Sequence, residues 1–241
     1  MDKRMNLLKK ILPYTYKRSV KEKLGVPSLH WSLQNLKKKN FYPAAVLDIG
    51  AYEGLWTLDL LEVFPKSKVL MVEAQLNKEP YLKAVQQKNP AAAYAITLLS
   101  AVDGETKLFA ENETASHVVA AEVSGEQYQR MQTKTLDLLL EQMNFPLPDF
   151  LKLDVQGHEM EVLKGAEKSL AKATVCLLEI SLIDLGDNVP LLADMVNFMD
   201  KKDFQAYDIS QFIRRPFDKA LYQVDMFFVK KDSFLVADKT W

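Results

Sequence analysis

Ala45-Val46-Leu47-Asp48-Ile49-Gly50-Ala51-Tyr52-Glu53-Gly54 is an apolar run that ends in an acidic, glycine-spaced turn. Val46, Leu47 and Ile49 show no polar alternation, as expected for a strand buried on both faces of a parallel sheet. A strand running into such a turn points to a nucleotide-type binding crevice. Asp48 interrupts the run. A carboxylate near the end of a buried strand costs several kcal/mol unless a cation or hydrogen-bond donor meets it, so Asp48 is expected to be a ligand contact, with a structural cap as the alternative. Gly50 and Gly54 are four apart, and the turn lacks the middle glycine that lets a backbone close on a pyrophosphate.

Charge narrows the ligand further. Asp48 and Glu53 place negative charge where a pyrophosphate would sit, which repels a dinucleotide and welcomes a cation. S-adenosylmethionine has no phosphate, carries a sulfonium and an ammonium, and presents ribose hydroxyls that need an acceptor. The next apolar run, Lys68-Val69-Leu70-Met71-Val72-Glu73-Ala74, ends in such an acceptor at about the 20-residue spacing of a βαβ unit.

Three motifs together, Val46 to Gly54, Met71-Val72-Glu73-Ala74 and Asp149-Phe150-Leu151-Lys152-Leu153-Asp154-Val155-Gln156-Gly157-His158-Glu159 continuing to Ala166, closely resemble the FkbM-type S-adenosylmethionine-dependent methyltransferases. The resemblance covers roughly residues 44 to 231. It implies a Rossmann-like class I methyltransferase fold: α/β, with a mostly parallel seven-stranded sheet, helices on both faces and an antiparallel closing strand. It also implies that Gly50, Ala51, Glu53, Gly54, Glu73 and Ala74 join Asp48 around the cofactor, and that Ser100, Ala101 and Val102, after the third strand, flank its adenine. Asp225 matches the family's closing motif. Where the family most often has glutamate, this chain has Gln156, so a role there that needs a negative charge is in doubt and a hydrogen-bonding role is kept.

Methyl transfer to oxygen is an in-line displacement that needs alignment and a proton acceptor. Asp154 is the first candidate, as base or orienting group. His158 is the second, because the dipole at a helix start disfavours its charged form; the plainer expectation is a solvent-facing histidine in a tight turn. Gln156, Glu159 and Glu179 are expected on the acceptor side. Asp154 and Glu179 suit Mg²⁺ as hard oxygen ligands, but two acids on separate strands make no spacing signature, and no metal ligand set is assigned.

The chain has 241 residues, 48% of them hydrophobic and 26% charged, ordinary values for one α/β domain. Its net charge of −1 argues against a dedicated nucleic-acid binder. Cys176, in an apolar run, reads as core. The expected organisation is a helical N-terminal extension (1–43), a methyltransferase domain (44–231) and a C-terminal tail (232–241). No run of eighteen apolar residues and no signal-peptide pattern occurs, so a cytoplasmic location is expected. Residues 1–24 mix Met5, Leu7, Leu8 and Ile11 with Lys3, Arg4, Lys9 and Lys10, which is compatible with peripheral contact with an anionic membrane, although docking on the domain is the commoner outcome.

Helices are expected at Ser28–Lys39, from Leu55 to Phe64 with Leu55, Leu58, Leu60 and Leu61 as its stripe, from Asn77 to Lys88, and from Glu159 to Leu170. A third strand is expected over Ala92–Val102, and residues 111–133 read as irregular. The favoured function is O-methylation of a hydroxyl on a sugar, glycan or small natural product. Two readings stay open beside it: a nucleotide- or NAD-binding Rossmann-type enzyme, and a non-catalytic interaction module that keeps the cofactor fold.

Overall fold

The computed structural model describes residues 24–110, 117–119, 128–185 and 189–240. Expectations for residues 1–23 and for most of 111–127 lie outside them. Ser28 caps the first helix by accepting the Trp31 N–H at 3.5 Å, and α1 follows over Leu29–Lys38. Then come β1 (Ala45–Ile49), α2 (Leu55–Val63), β2 (Lys68–Glu73), α3 (Glu79–Lys88) and β3 (Ala92–Ile96). The strand expected to reach Val102 ends at Ile96: Thr97 N–H donates the last bond of the β2–β3 ladder, to the Glu73 carbonyl at 2.8 Å, and Leu98 and Leu99 then pair with Thr133 and Lys134 instead.

A second, four-stranded sheet is inserted here, built from β4 (Leu98–Leu99), β5 (Thr106–Ala110), β6 (His117–Val119) and β7 (Tyr128–Lys134) in the order β4-β7-β5-β6. The stretch read as irregular thus contains strands whose alternation is too weak to see in the sequence. The chain returns through α4 (Leu136–Gln142), β8 (Phe150–Leu153), α5 (Glu159–Lys164), α6 (Glu167–Lys172), β9 (Val175–Ser181), α7 (Leu192–Asp200), β10 (Phe204–Arg214) and β11 (Leu221–Lys230). The helix expected over Glu159–Leu170 is therefore two short ones. They part at Gly165, where a Cβ would lie 2.4 Å from the Ser100 carbonyl oxygen.

The large sheet has the order β10-β11-β9-β8-β1-β2-β3. Its only antiparallel member among the described strands is β11, paired with β9 and β10. This is the Rossmann-like class I methyltransferase fold. Strand order reverses at β1, whose neighbours are β2 and β8, and ligands of open α/β sheets bind beyond the carboxyl ends of strands at such a point.

Alternate residues of each strand feed two cores. Leu47, Ile49, Leu151 and Leu153 pack with Leu136, Leu163 and Met195 on one face. Val46, Val69, Met71 and Phe150 pack with Leu33, Leu60 and Leu82 on the other. Each such side chain fully withdrawn from water contributes about 1.5–3 kcal/mol. Leu33 and Leu36 of α1, placed by sequence in an extension, belong to this second core, as does Leu235 near the C-terminus. In α2 the buried side is Thr57, Leu60 and Val63, while Leu55 and Leu58 of the expected stripe are exposed. Cys176 is buried. Among the described residues no helix is long and apolar enough to cross a membrane.

Candidate functional site

Asp48 faces the same side of β1 as Val46, toward α2, and it is 0% exposed. Its Oδ2 accepts the Thr57 hydroxyl at 2.7 Å, and its Oδ1 lies 3.1 Å from Lys152 Nζ. The expectation of a ligand contact is corrected: Asp48 is a buried counter-ion beneath the cleft. Lys152, opposite Asp48 in the β1–β8 register, also donates to the Gly50 carbonyl at 2.9 Å and stands 3.6 Å from Asp154. Burial works against its charge, but Asp48 and Asp154 outweigh it and raise its pKa. One ammonium thus ties the tips of β1 and β8 together.

The turn after β1 is forced by close approach. Gly50 has φ 72°, and a Cβ there would sit 1.8 Å from the Asp154 carbonyl oxygen. Gly50 and Ala51 N–H groups both donate to the Val72 carbonyl, at 2.9 and 3.1 Å. Tyr52, at φ 50°, occupies a region unfavourable for a residue with a Cβ. That conformation aims its N–H at Glu73 Oε2, 2.8 Å away. The Ala74 and Gln75 N–H groups both reach Glu73 Oε1 at 2.9 Å. A carboxylate has about four acceptor sites, so three backbone donors fix its orientation and leave one, on Oε2. Gln75 is 6% exposed, and its Oε1 has no partner among the described residues; a buried acceptor of that kind calls for a donor.

A cleft of about 750 Å³, counting the open solvent at its mouth, lies beyond these tips. Of the residues expected at the site, Gly50, Glu73, Ala74, Asp154, Gln156 and His158 line it. Tyr52, Gln75, Thr97, Leu98 and Leu99 line it too, and Phe109 and Val118 of the inserted sheet close its far wall. These were missed. Phe109 and Val118 carry no local signal, whereas Tyr52 and Gln75 adjoin residues already singled out.

Several expected contacts lie elsewhere. Glu53 pairs with Lys78 at 3.5 Å, and Lys78 sits 3.8 Å over the Tyr52 ring; with Asp48 paired as well, the repulsion argument against a pyrophosphate loses both its charges. Ala51 is 5% exposed and joins the core below. Gly54 packs against Val85 and Met71. Ser100 is fully buried, and Ala101 and Val102 lie past the cleft; the early end of β3 puts Thr97, Leu98 and Leu99 on that wall instead.

On the β8 side, Glu159 is 4% exposed. Its Oε1 accepts from Val155 and Gly157 N–H at 2.9 and 3.2 Å, so it holds the turn from below and does not face the cleft. Burial pushes its pKa up to about 7 against those two donors. Gln156, at φ 54°, directs one amide nitrogen to Asp154 Oδ1 at 2.9 Å and to Glu179 Oε2 at 2.8 Å. The place between these acids where Mg²⁺ was considered is filled by that amide, and no metal-ligating group of three or more side chains occurs among the described residues. Glu179 stands behind Gln156, and its pKa is pushed up to about 9 by burial and by Asp154. Asp225, opposite Glu179 in the β9–β11 register, is raised to about 6 by burial, then Asp154. His158 is not solvent-facing. Its Nε2 lies 3.1 Å from Ser100 Oγ, and burial, aided by Lys107, lowers its pKa to about 4, so the ring is neutral at physiological pH.

The family model for the FkbM methyltransferase domain matches residues 48–206. The hexuronic acid methyltransferase AglP of Haloferax volcanii is 37% identical over 73 residues, which is 30% of each chain. Methyltransferase 1 of Beauveria bassiana is 27% identical over 181 residues, 66% of this chain and 71% of that protein. A solved FkbM methyltransferase from Methylobacillus flagellatus superposes with a TM-score of 0.49 at 18% identity, covering 77% of this chain and 43% of the other. The chain thus spans under a third of the first of these relatives and most of the second. With well over half of its sequence under the family model, the protein belongs to the FkbM methyltransferase family.

Proposed function

We propose that the protein is an S-adenosylmethionine-dependent O-methyltransferase acting on a sugar or other small hydroxyl acceptor. The observation that carries this reading is Glu73, a carboxylate oriented by three backbone N–H groups at the cleft wall with one acceptor site open. Glu73 Oε2 and the unpartnered Gln75 Oε1 accept the two hydroxyls of a ribose, and Thr97, Leu98 and Leu99 border the base. S-adenosylmethionine, when bound, supplies an electrophilic methyl group on a positively charged sulfur.

The chain's own residues handle the acceptor. Asp154 presents its carboxylate at the cleft mouth, and its side chain is 40% exposed. It accepts the hydrogen bond of the incoming hydroxyl and takes its proton, with geometry set by Lys152 and Gln156. His158, neutral and held against Ser100, offers a second polar contact without adding charge. Phe109 and Val118 exclude water from that side, which strengthens the remaining polar contacts. The match to part of a hexuronic acid methyltransferase supports a sugar hydroxyl over a nucleic acid, as does the near-neutral net charge.

Calorimetric titration with S-adenosylhomocysteine and with NAD, side by side, tests the donor. Binding of the first and not the second is expected, and the reverse would overturn the reading. Mass spectrometry of uronic-acid and neutral glycans incubated with enzyme and S-adenosylmethionine then tests the acceptor, a gain of one methylene unit being the expected product.

A further inference from the structure

The turn joining β10 to β11 stands at the carboxyl end of the sheet. Gln223 is opposite Ser181, the last residue of β9, and Arg214 is opposite Leu221, so the hairpin runs on past the end of β9 by about two residues, roughly 7 Å, before it turns. Strand spacing puts it about 10–15 Å to the side of the Asp154 tip. The turn is rigid by its own hydrogen bonds: Arg215 grips Asp218 through two bonds of 2.7 and 2.6 Å, Arg215 N–H donates to the Ala220 carbonyl, and Arg214 donates to the Lys219 carbonyl at 3.0 Å.

On this frame Phe217 is 91% exposed, with Phe212 at 45%. Arg214 lies 5.8 Å from the Phe212 ring and Arg215 5.7 Å from that of Phe217. Lys219, whose ammonium donates to the Pro216 carbonyl at 3.0 Å, is a third cation of the same turn, and the one acid, Asp218, is spent on Arg215. A large aromatic ring held fully in water gains nothing for the fold. Ringed by cations on a preformed tip, it matches the chemistry of a bilayer interface, where rings enter the headgroup region and Arg or Lys meet lipid phosphates. A charge-neutral partner leaves those cations unanswered.

We propose that the β10–β11 tip docks the protein on an anionic membrane surface with Phe217 as the inserted side chain, which holds the cleft mouth at the lipid headgroups. This rests on the hairpin alone and stands whether or not the donor reading does. The test is sedimentation of the full chain with vesicles of phosphatidylcholine, with and without phosphatidylglycerol. Binding to the mixed vesicles only, weakening as salt is raised, is expected. Phe217→Ser should weaken it about tenfold or more, and Arg214→Ser with Lys219→Ser by a similar factor. Both variants should keep the wild-type melting temperature, since Arg214, Phe217 and Lys219 are all exposed. Failure to bind either vesicle overturns the proposal. So does equal binding to both, and so does binding unchanged in the variants, which would assign the contact to another part of the chain. A concentration-dependent dimer in solution that Phe217→Ser abolishes would assign the tip to a second copy instead.

Discussion

The cleft has two sides built by different means. On the β1–β2 side, orientation comes from backbone: Gly50, whose Cβ position is taken by the Asp154 carbonyl, and three N–H groups on Glu73. On the β8–β9 side it comes from side chains holding one another: Gln156 between two acids, Glu159 under the turn, His158 against Ser100. This second wall carries three carboxyl groups raised to about 6, 7 and 9. A wall positioned by backbone does not depend on the charge of its neighbours, while one positioned by side chains does.

Lys152 joins the two sides, and its removal should have the largest effect. Lys152→Met leaves Asp48 buried without a counter-ion, and a loss of about 3–5 kcal/mol in denaturant unfolding is expected; a loss under about 1 kcal/mol would show that the sides are independent. Next comes Glu73→Ala, which should weaken S-adenosylhomocysteine binding about 100-fold by calorimetry, the worth of a charged hydrogen bond, with acceptor affinity unchanged. An equal loss on both would erase the distinction between the walls.

The pH dependence is smaller and belongs to the side-chain wall. Asp225, Glu159 and Glu179 bind protons more tightly folded than unfolded, so their stabilisation is complete below about pH 4 and is lost as pH rises through about 6, 7 and 9 in turn. His158, lowered to about 4, acts in the opposite sense, and its share is gained as pH rises from about 4 to 6.5. Above pH 6.5 only the losses remain. Melting temperature should therefore fall between pH 6.5 and 9, and Glu179→Gln should flatten most of that fall. The smallest effect is expected of Gln156→Glu, which puts a third carboxylate between Asp154 and Glu179. It should cost about 1 kcal/mol at pH 8, recovered on adding Mn²⁺, whose binding by calorimetry should appear in the variant and not in the wild type.

The same contrast explains what could be read in advance. Glycine spacing, the acid at the end of β2 and the alternation of apolar runs are local, so the strand–helix order and the place of Glu73 on the cleft wall were legible, and the family resemblance supplied the strand order. Lys152 meeting Asp48 across 104 positions of chain, Lys78 meeting Glu53, and Ser100 meeting His158 are long-range pairings that no spacing announces. Asp48 was misread for that reason: the cost of burying it was seen, but its partner was not. Ser100, Ala101 and Val102 lie past the cleft because the chain leaves the β2 edge after Thr97 and pairs with Thr133 and Lys134, a tertiary event.

The inserted sheet enters after β3 and leaves before α4, and among the described residues it reaches the cleft through Leu98 and Leu99 of β4, Phe109 of β5 and Val118 of β6. Descendants of such a protein are free to rewrite the strands around Phe109 and Val118 and so reshape the far wall of the cleft, while the backbone bonds that hold Glu73 are inherited untouched.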